Sequence, residues 1–292
     1  MRPFEISEPA TIQEAVCLLD AEDTGVRAIG GGTALMLMMK TRLFQPTRLV
    51  SLAKLNGELR GVRVAPDGSL RIGALTTLSQ LEYSKPVASA VPVVSRALRT
   101  LANVRIRNVA TIGGHLAHGD PHMDLPPILL TLGARVLAVS PSGERWIGLD
   151  ELFVGYYQTA LLRNELIAEV EIPAQPADVR CAYIKYTALN ADDWPAVGTA
   201  VWYRSEAGVI TEVRVAVSAA TECPVRLAGA EAVLLGAAAG PEVFAKAADA
   251  AAEEVNPLAD IRGTAAYKRE MVRVHVCRAL EQAQPVRSSE AK

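Results

Sequence analysis

Val26-Arg27-Ala28-Ile29-Gly30-Gly31-Gly32-Thr33-Ala34-Leu35 runs from an apolar stretch through three glycines into a second apolar stretch ending at Lys40. Residues 26–29 read as a strand, the glycines as a tight turn and residues 34–40 as a helix. A further strand at Thr47–Leu52 completes strand, turn, helix, strand, the plan of many phosphate-binding units. Glycines at such a turn let backbone N–H groups approach an anion, and the helix N-terminus adds partial positive charge. Thr33 can add a hydroxyl donor. The stretch fails the dinucleotide fingerprint, because Leu35 stands at the third glycine position, and no Gly-Lys-Ser/Thr follows to make a Walker loop. A turn that only needs positive φ is the other reading, although three glycines in a row exceed that need.

Upstream, Thr11 and Glu14 form a capping box that opens a helix through Leu19. Downstream, strands are expected over Arg60–Ala65 and Leu70–Gly73, turned at Pro66-Asp67-Gly68, then a helix over Val93–Asn103. Further on come a helix over Leu125–Leu132 closed by Gly133, a hairpin pairing Arg135–Val139 with Glu144–Ile147, and a strand over Glu165–Ile172 stopped by Pro173. Beyond a linker at Pro173–Pro176, Val197–Arg204 and Val209–Ala219 form an antiparallel pair turned at Ala207-Gly208. Helices follow over Arg226–Leu235, Pro241–Glu254 and Ala265–Gln282, and residues 285–292 read as a disordered polar tail. Units over 1–55, 56–176 and 177–284 follow from this layout.

Thr111-Ile112-Gly113-Gly114 is a second glycine turn, followed by His115-Leu116-Ala117-His118-Gly119-Asp120-Pro121-His122-Met123-Asp124-Leu125-Pro126-Pro127. Asp124 precedes a helix with proline in its first turn, which fits an N-cap. Its carboxylate could instead accept hydrogen bonds from sugar or ribitol hydroxyls. His115, His118 and His122 with Asp120 and Asp124 are metal-ligand types, but on a loop with no helical frame. No metal site is expected there.

The bulk composition bounds the function. The chain has 292 residues, half hydrophobic, 21% charged, with net charge −2. It is long enough for one large or two to three small domains and carries no basic excess for nucleic acid. Arg105-Ile106-Arg107 is too short for such a footprint. No apolar stretch approaches the roughly 20 residues of a membrane span, and a cytoplasmic location is expected. The four cysteines, Cys17, Cys181, Cys223 and Cys277, form no close group, so no iron–sulfur cluster is expected on this chain.

The two glycine motifs at this spacing resemble the FAD-binding medium subunits of molybdenum hydroxylases, the xanthine dehydrogenase and aerobic carbon monoxide dehydrogenase family. That family's first motif reads approximately AGGT-x-L followed by Met-Lys, and here stand Gly30-Gly31-Gly32-Thr33-Ala34-Leu35 and Met39-Lys40. Its second reads ATIGGN…ADP-x-SDLPP, and here stand Ala110-Thr111-Ile112-Gly113-Gly114-His115 and Gly119-Asp120-Pro121-His122-Met123-Asp124-Leu125-Pro126-Pro127. Lesser marks are Glu165-Leu166-Ile167, Ile172-Pro173, Tyr183-Ile184-Lys185 and Asp193-Trp194.

The resemblance implies an α+β fold: a two-part FAD-binding domain, a small α/β unit plus a larger mixed one, then a C-terminal domain of a small antiparallel sheet and helices. It places Ala28, Ile29, Gly30, Gly31, Gly32, Thr33, Ala34 and Leu35 along the FAD diphosphate. Ala110, Thr111, Ile112, Gly113, Gly114 and His115 would meet it from the other side. Asp124 would hold a sugar or ribitol hydroxyl. Leu101, Ile167 and Lys185 complete the cofactor set, with Ile167 and Lys185 near the flavin ring and no catalytic side chain implied. A buried Lys185 would favour anionic reduced flavin, whereas a solvated strand lysine is the plain alternative. The implied partners are a small subunit with two [2Fe–2S] clusters and a large molybdenum-cofactor subunit, assembled as a dimer of heterotrimers. The implied electron acceptor is a quinone, NAD or oxygen. Ala34, His115 and Met123 depart from the usual polar residue, Asn and Ser, and Leu189 and Asn190 from basic residues. These departures bear on ring-side contacts and the acceptor, while the backbone grip needs glycines more than side chains. A self-contained FAD-dependent reductase of the same fold and a flavin-free scaffold subunit are the rival readings.

Overall fold

The computed structural model describes residues 3–285 except residue 192. Strands β1 (Glu5–Ser7), β2 (Val26–Ile29) and β3 (Arg48–Ser51) form a parallel sheet in the order β1-β3-β2. The helix Thr33–Lys40 makes the crossover between β2 and β3. The expected βαβ unit is therefore present, with β2 matching its expected span and β3 one residue shorter at each end. Thr11 caps the helix Ile12–Leu18 through the Glu14 amide, 3.2 Å, but the Glu14 carboxylate reaches the Ala10 amide instead of closing on Thr11.

The second sheet is antiparallel. Its strands are β4 (Val62–Val64), β5 (Leu70–Gly73), β6 (Arg135–Ser140) and β7 (Gly143–Gly148). A small hairpin of β8 (Phe153–Gly155) and β9 (Gln158–Thr159) follows, and β10 (Leu166–Ile172) returns to the centre of the sheet, in the order β4-β5-β10-β6-β7. Its buried face carries Leu70, Ile72, Val136, Ala138, Val170 and Ile172, alternating with outward residues as a half-covered sheet requires. The third sheet, order β14-β13-β12-β11-β15, holds β11 (Arg180–Tyr186), β12 (Val197–Glu206), β13 (Val209–Ser218), β14 (Val225–Arg226) and β15 (Gln284–Pro285).

The helix Leu125–Thr131 lies between the second and third sheets, and all of its residues are buried. Its apolar sequence, Leu-Pro-Pro-Ile-Leu-Leu, suits an element covered on every side. Gly133 ends it at φ +69°, and Arg214 on β13 donates to the Thr131 carbonyl, 2.9 Å, placing a cation at the helix C-terminus. The same guanidinium lies 4.4 Å from the Trp202 ring centroid, and the Trp202 indole donates to Gln175, 2.8 Å.

Four expectations are corrected. The helix expected over 93–103 spans Pro92–Leu98, and the chain turns at Ala102, φ +51°, into a short helix Val104–Arg107 capped by Asn103. The second glycine motif is no loop: Thr111 caps a helix, Ile112–His118, which includes both glycines. β11 was not recognised as a strand, although it carries the Tyr183-Ile184-Lys185 mark. Pro285 pairs with Arg180 in the third sheet, and the remainder of the expected tail lies outside the described residues.

The loop after His118 is tied to the C-terminal helices by charge. His122 lies between two carboxylates, Nδ1 at 2.9 Å from Asp120 and Nε2 at 3.0 Å from Asp260. Lys268, 1% exposed on the helix Ala265–Gln282, meets Asp260 at 2.9 Å and donates to the Ala219 carbonyl. Burial alone would raise the Asp260 carboxyl, but hydrogen bonds from Lys268, the Arg262 amide and His122 outweigh it and hold the group down at about 2.

Asp260→Ala should leave a buried ammonium without its counter-charge and cost about 3 kcal/mol in urea unfolding at neutral pH. A depressed folded-state value contributes stability above the ordinary carboxylate value that is lost as pH falls toward about 2. The gap between wild type and variant should therefore hold down to pH ~4 and close below it. A gap that closes between pH 7 and 5 would refute this assignment.

Candidate flavin site

The two glycine motifs meet backbone to backbone. A Cβ built on Gly31 would lie 1.9 Å from the Val109 carbonyl oxygen, and one on Gly30 would lie 3.2 Å from Thr111 Oγ1. Gly113 is equally constrained from behind: its Cβ would meet Ala74 at 2.6 Å, and its amide donates to the Ala74 carbonyl, 2.8 Å. Gly32 has φ +68°, the left-handed region, and begins the helix Thr33–Lys40 without a side-chain cap. The first-turn amides at Thr33, Ala34 and Leu35 therefore have no capping side chain and can meet an external anion.

Gly30 and Gly114 differ from the other motif glycines. Both are exposed and meet side chains alone: a Cβ on Gly114 would meet only its own cap, Thr111 Oγ1, at 3.0 Å. No backbone behind either one excludes a Cβ. A surface left open by a missing Cβ, beside a helix start and the first glycine turn, fits a phosphate-bearing group lying across both motifs.

Asp124 does not cap its helix. Its backbone is already helical, at φ −77° and ψ −40°, and its side chain makes no cap bond. The carboxylate instead accepts from the Tyr183 hydroxyl, 2.7 Å, and from Lys185 Nζ, 3.2 Å. Lys185 also donates to the Thr100 carbonyl, 2.8 Å, one residue before the buried Leu101. Lys185 is thus no solvated strand lysine, since its side chain is 6% exposed. Burial pushes the Asp124 carboxyl up to about 6, against the opposing pull of Lys185 and Tyr183. The Tyr183 phenol is held well above its ordinary value, first by burial and then by the facing carboxylate.

The remaining expected residues separate into two groups. Ala28 and Ile29 end β2 beside the first turn, and Ala34 and Leu35 are half-buried in the helix that follows. Leu101, Ala110, Ile112 and Ile167 share the core beneath the second motif. His115 and His118 lie three apart on the same helix and do not converge with His122, both of whose nitrogens face carboxylates. Burial lowers His115 to about 4, so its ring is neutral, and its Nε2 has no partner. His118 packs edge-on against Tyr157, centroids 5.2 Å apart. Among the described residues no group of three metal-capable side chains forms a site.

Thr100, Tyr183, Asp260 and Lys268 were missed as partners of the motif. One signal did exist for Lys268. It shares the 268, 272, 275, 276, 279 spacing with Val272, His275, Val276 and Ala279, which is the buried face of its helix.

Comparisons with known proteins converge on one family. Residues 2–175 match the model described as the FAD binding domain in molybdopterin dehydrogenase, and residues 182–283 the CO dehydrogenase flavoprotein C-terminal domain. The carbon monoxide dehydrogenase medium chain of Hydrogenophaga pseudoflava is 35% identical, with 96% of each chain covered. The nicotine 6-hydroxylase medium subunit of Paenarthrobacter nicotinovorans is 34% identical over 95% of this chain and 96% of its own. A solved structure of carbon monoxide dehydrogenase from Hydrogenophaga pseudoflava superposes with a TM-score of 0.93 at 36% identity, covering 97% of each chain. Fold and motifs define an FAD-binding oxidoreductase subunit of α+β architecture. The chain belongs to the medium-chain family of molybdenum hydroxylases that includes carbon monoxide and xanthine dehydrogenases.

Two measurements bear on the site in the isolated chain. Gly31→Ala should shift thermal unfolding down strongly, because backbone must move, whereas Gly114→Ala should change it little; equal shifts would refute the packing argument. An acid whose folded-state value is raised stabilises below its unfolded value and loses that contribution as pH rises. Wild type should accordingly lose about 2 kcal/mol relative to Asp124→Asn between pH ~4 and ~6. Parallel stability curves would show that Asp124 is not buried as described.

Proposed function

We propose that this chain carries FAD between the turn at Gly30–Leu35 and the helix start at Ala110–His115, and passes electrons from partner iron–sulfur clusters to an external acceptor. The observation that carries the reading is the seam at Gly31 and Val109. It places the uncapped amides of one helix beside the exposed Gly114 of another. Backbone N–H groups of Thr33, Ala34 and Leu35 would hold one side of the diphosphate, and the Thr111–Gly114 segment the other. FAD, when bound, supplies the exchange of single electrons for electron pairs.

The side chains around it would position and tune. Leu101 and Ile167 would keep water from the ring side. Lys185 would favour negative charge there, but Asp124 at 3.2 Å partly offsets it. Asp124 retains lone pairs for a ribitol or sugar hydroxyl after accepting from Tyr183 and Lys185. Units over 1–55, 56–176 and 177–284 would then be two halves of an FAD domain and a C-terminal domain, a division supported by the three sheets.

Substrate oxidation would occur at a molybdenum cofactor on a large partner, with two [2Fe–2S] clusters on a small one. A dimer of heterotrimers in the cytoplasm, delivering electrons to a quinone, NAD or oxygen, completes the reading. Support comes from full-length likeness to medium chains whose names specify carbon monoxide and nicotine as targets. Among the described residues no helix is long and apolar enough to cross a membrane.

The purified full chain should show visible flavin absorbance, and Gly114→Trp should abolish it without lowering the unfolding temperature. Flavin retained in that variant would refute the phosphate assignment. Co-purification with native partners should bring molybdenum and iron, and an assembly without either metal would refute the three-part reading.

A further inference from the structure

β11 sends alternate side chains to opposite faces of the third sheet. Ala182, Ile184 and Tyr186 pack among the C-terminal helices, whereas Tyr183 and Lys185 reach Asp124 on the other side. Each carboxylate oxygen of Asp124 has one donor: the Tyr183 hydroxyl on Oδ1 at 2.7 Å, and Lys185 Nζ on Oδ2 at 3.2 Å. The side chains of Lys185 and Asp124 are both almost wholly buried. The other partner of the ammonium is neutral, the Thr100 carbonyl. Among the described residues no second carboxylate meets Lys185. The charge of this buried cluster is therefore set by whether Asp124 holds a proton.

The chain contains a useful contrast. Asp260 also meets a buried lysine, Lys268, but accepts further hydrogen bonds from the Arg262 amide and His122, and lies at about 2. It is a carboxylate across the working pH range. At Asp124 burial is the largest effect and disfavours the carboxylate, while Lys185 and Tyr183 favour it, which leaves the carboxyl at about 6. Tyr183 keeps its proton, because burial and the facing carboxylate hold the phenol well above its ordinary value. Near neutral pH, a change in nearby charge can thus move a proton on or off Asp124 without moving any other partner.

We infer that Asp124 takes up a proton from solvent when the flavin is reduced, exposing the charge of Lys185 to it, and releases the proton on reoxidation. This rests on the flavin placement proposed above. Two electrons from the partner clusters bring one proton to the ring and leave it with a negative charge. The second proton goes to the Asp124 carboxylate. The cluster then carries one positive charge, and Coulomb attraction in a site with little water favours that state. On reoxidation the electron pair passes to the acceptor, the ring proton leaves with it or to solvent, and the Asp124 proton returns to solvent. Asp124 would therefore offset Lys185 only while the flavin is oxidised.

The test uses the full chain saturated with FAD and reduced stepwise by dithionite against a reference dye, from pH ~5 to ~9. Above about pH 6, the wild-type midpoint potential should fall with pH twice as steeply as that of Asp124→Asn. Two protons rather than one then accompany each electron pair. The midpoints should coincide near pH ~5, where Asp124 is already protonated, and separate as pH rises. The variant should be the higher, because nothing offsets its Lys185. Tyr183→Phe removes a hydrogen bond to the carboxylate and should move the start of the steep range to higher pH. That variant decides the matter if Asp124→Asn holds FAD too weakly. Midpoints of wild type and Asp124→Asn that run parallel, or a steep range unmoved in Tyr183→Phe, overturn this inference alone. A chain that takes up no flavin at saturating FAD refutes the placement above and this inference with it.

Discussion

The contact on which the arrangement depends is the approach of Gly31 to the Val109 carbonyl, where any Cβ would come within 1.9 Å. Two strand-connected units, one parallel and one antiparallel, touch there through backbone alone. Because no side chain intervenes, the start of the helix Thr33–Lys40 is held beside the start of the helix Ile112–His118. Two helix starts side by side concentrate partial positive charge without a fixed cation, which suits a diphosphate better than a single turn would.

The C-terminal sheet is attached to this seam by charges rather than by apolar packing alone. Lys185 on β11 reaches Asp124 and the Thr100 carbonyl, and Lys268 reaches Asp260, which in turn holds His122. Both ties converge on the same segment, Asp120 to Asp124, immediately after the second motif's helix. Buried ion pairs contribute little net stability against apolar replacements, but each is costly to break singly. They therefore fix the position of the segment more than they strengthen the fold. The third sheet and the helix Ala265–Gln282 thus serve as a rear support for the glycine helix, each through one lysine whose side chain is almost wholly buried.

Much of this was legible in the residues. Local signals are strong where chain geometry is determined within a few positions, and Pro241–Glu254 and Ala265–Gln282 match their expected spans at both ends. The Ala207-Gly208 turn, at φ +48° and +83°, was read for the same reason. Gly113-Gly114 was misread as a turn because two glycines disfavour a helix interior, yet here they sit in the first turn, where packing against Ala74 outweighs propensity. A cap stands beside the hydroxyl-binding reading of Asp124 because Asp before Leu-Pro-Pro commonly is one. Its true partners lie 59 and 61 residues away, beyond any local pattern. β11 lacks the polar–apolar alternation of a half-covered strand, because its middle, residues 181–184, packs alternately into two cores and reads as a short apolar run.

The glycines also sort by cause, and the sorting separates fold from ligand. Gly31 and Gly113 are demanded by the chain's own backbone, and Gly32 by its φ. An unrelated protein with the same seam would need these three whether or not it bound anything. Gly114 meets no backbone: a Cβ there would press only on the Thr111 hydroxyl that caps its own helix, at 3.0 Å. Gly30 is alike: it is exposed, and a Cβ there would meet only the Thr111 and Leu75 side chains, at 3.2 and 3.4 Å. The motifs are therefore part scaffold and part site, and the portion that speaks for a ligand is the exposed pair Gly30 and Gly114 with the uncapped amides of the helix Thr33–Lys40.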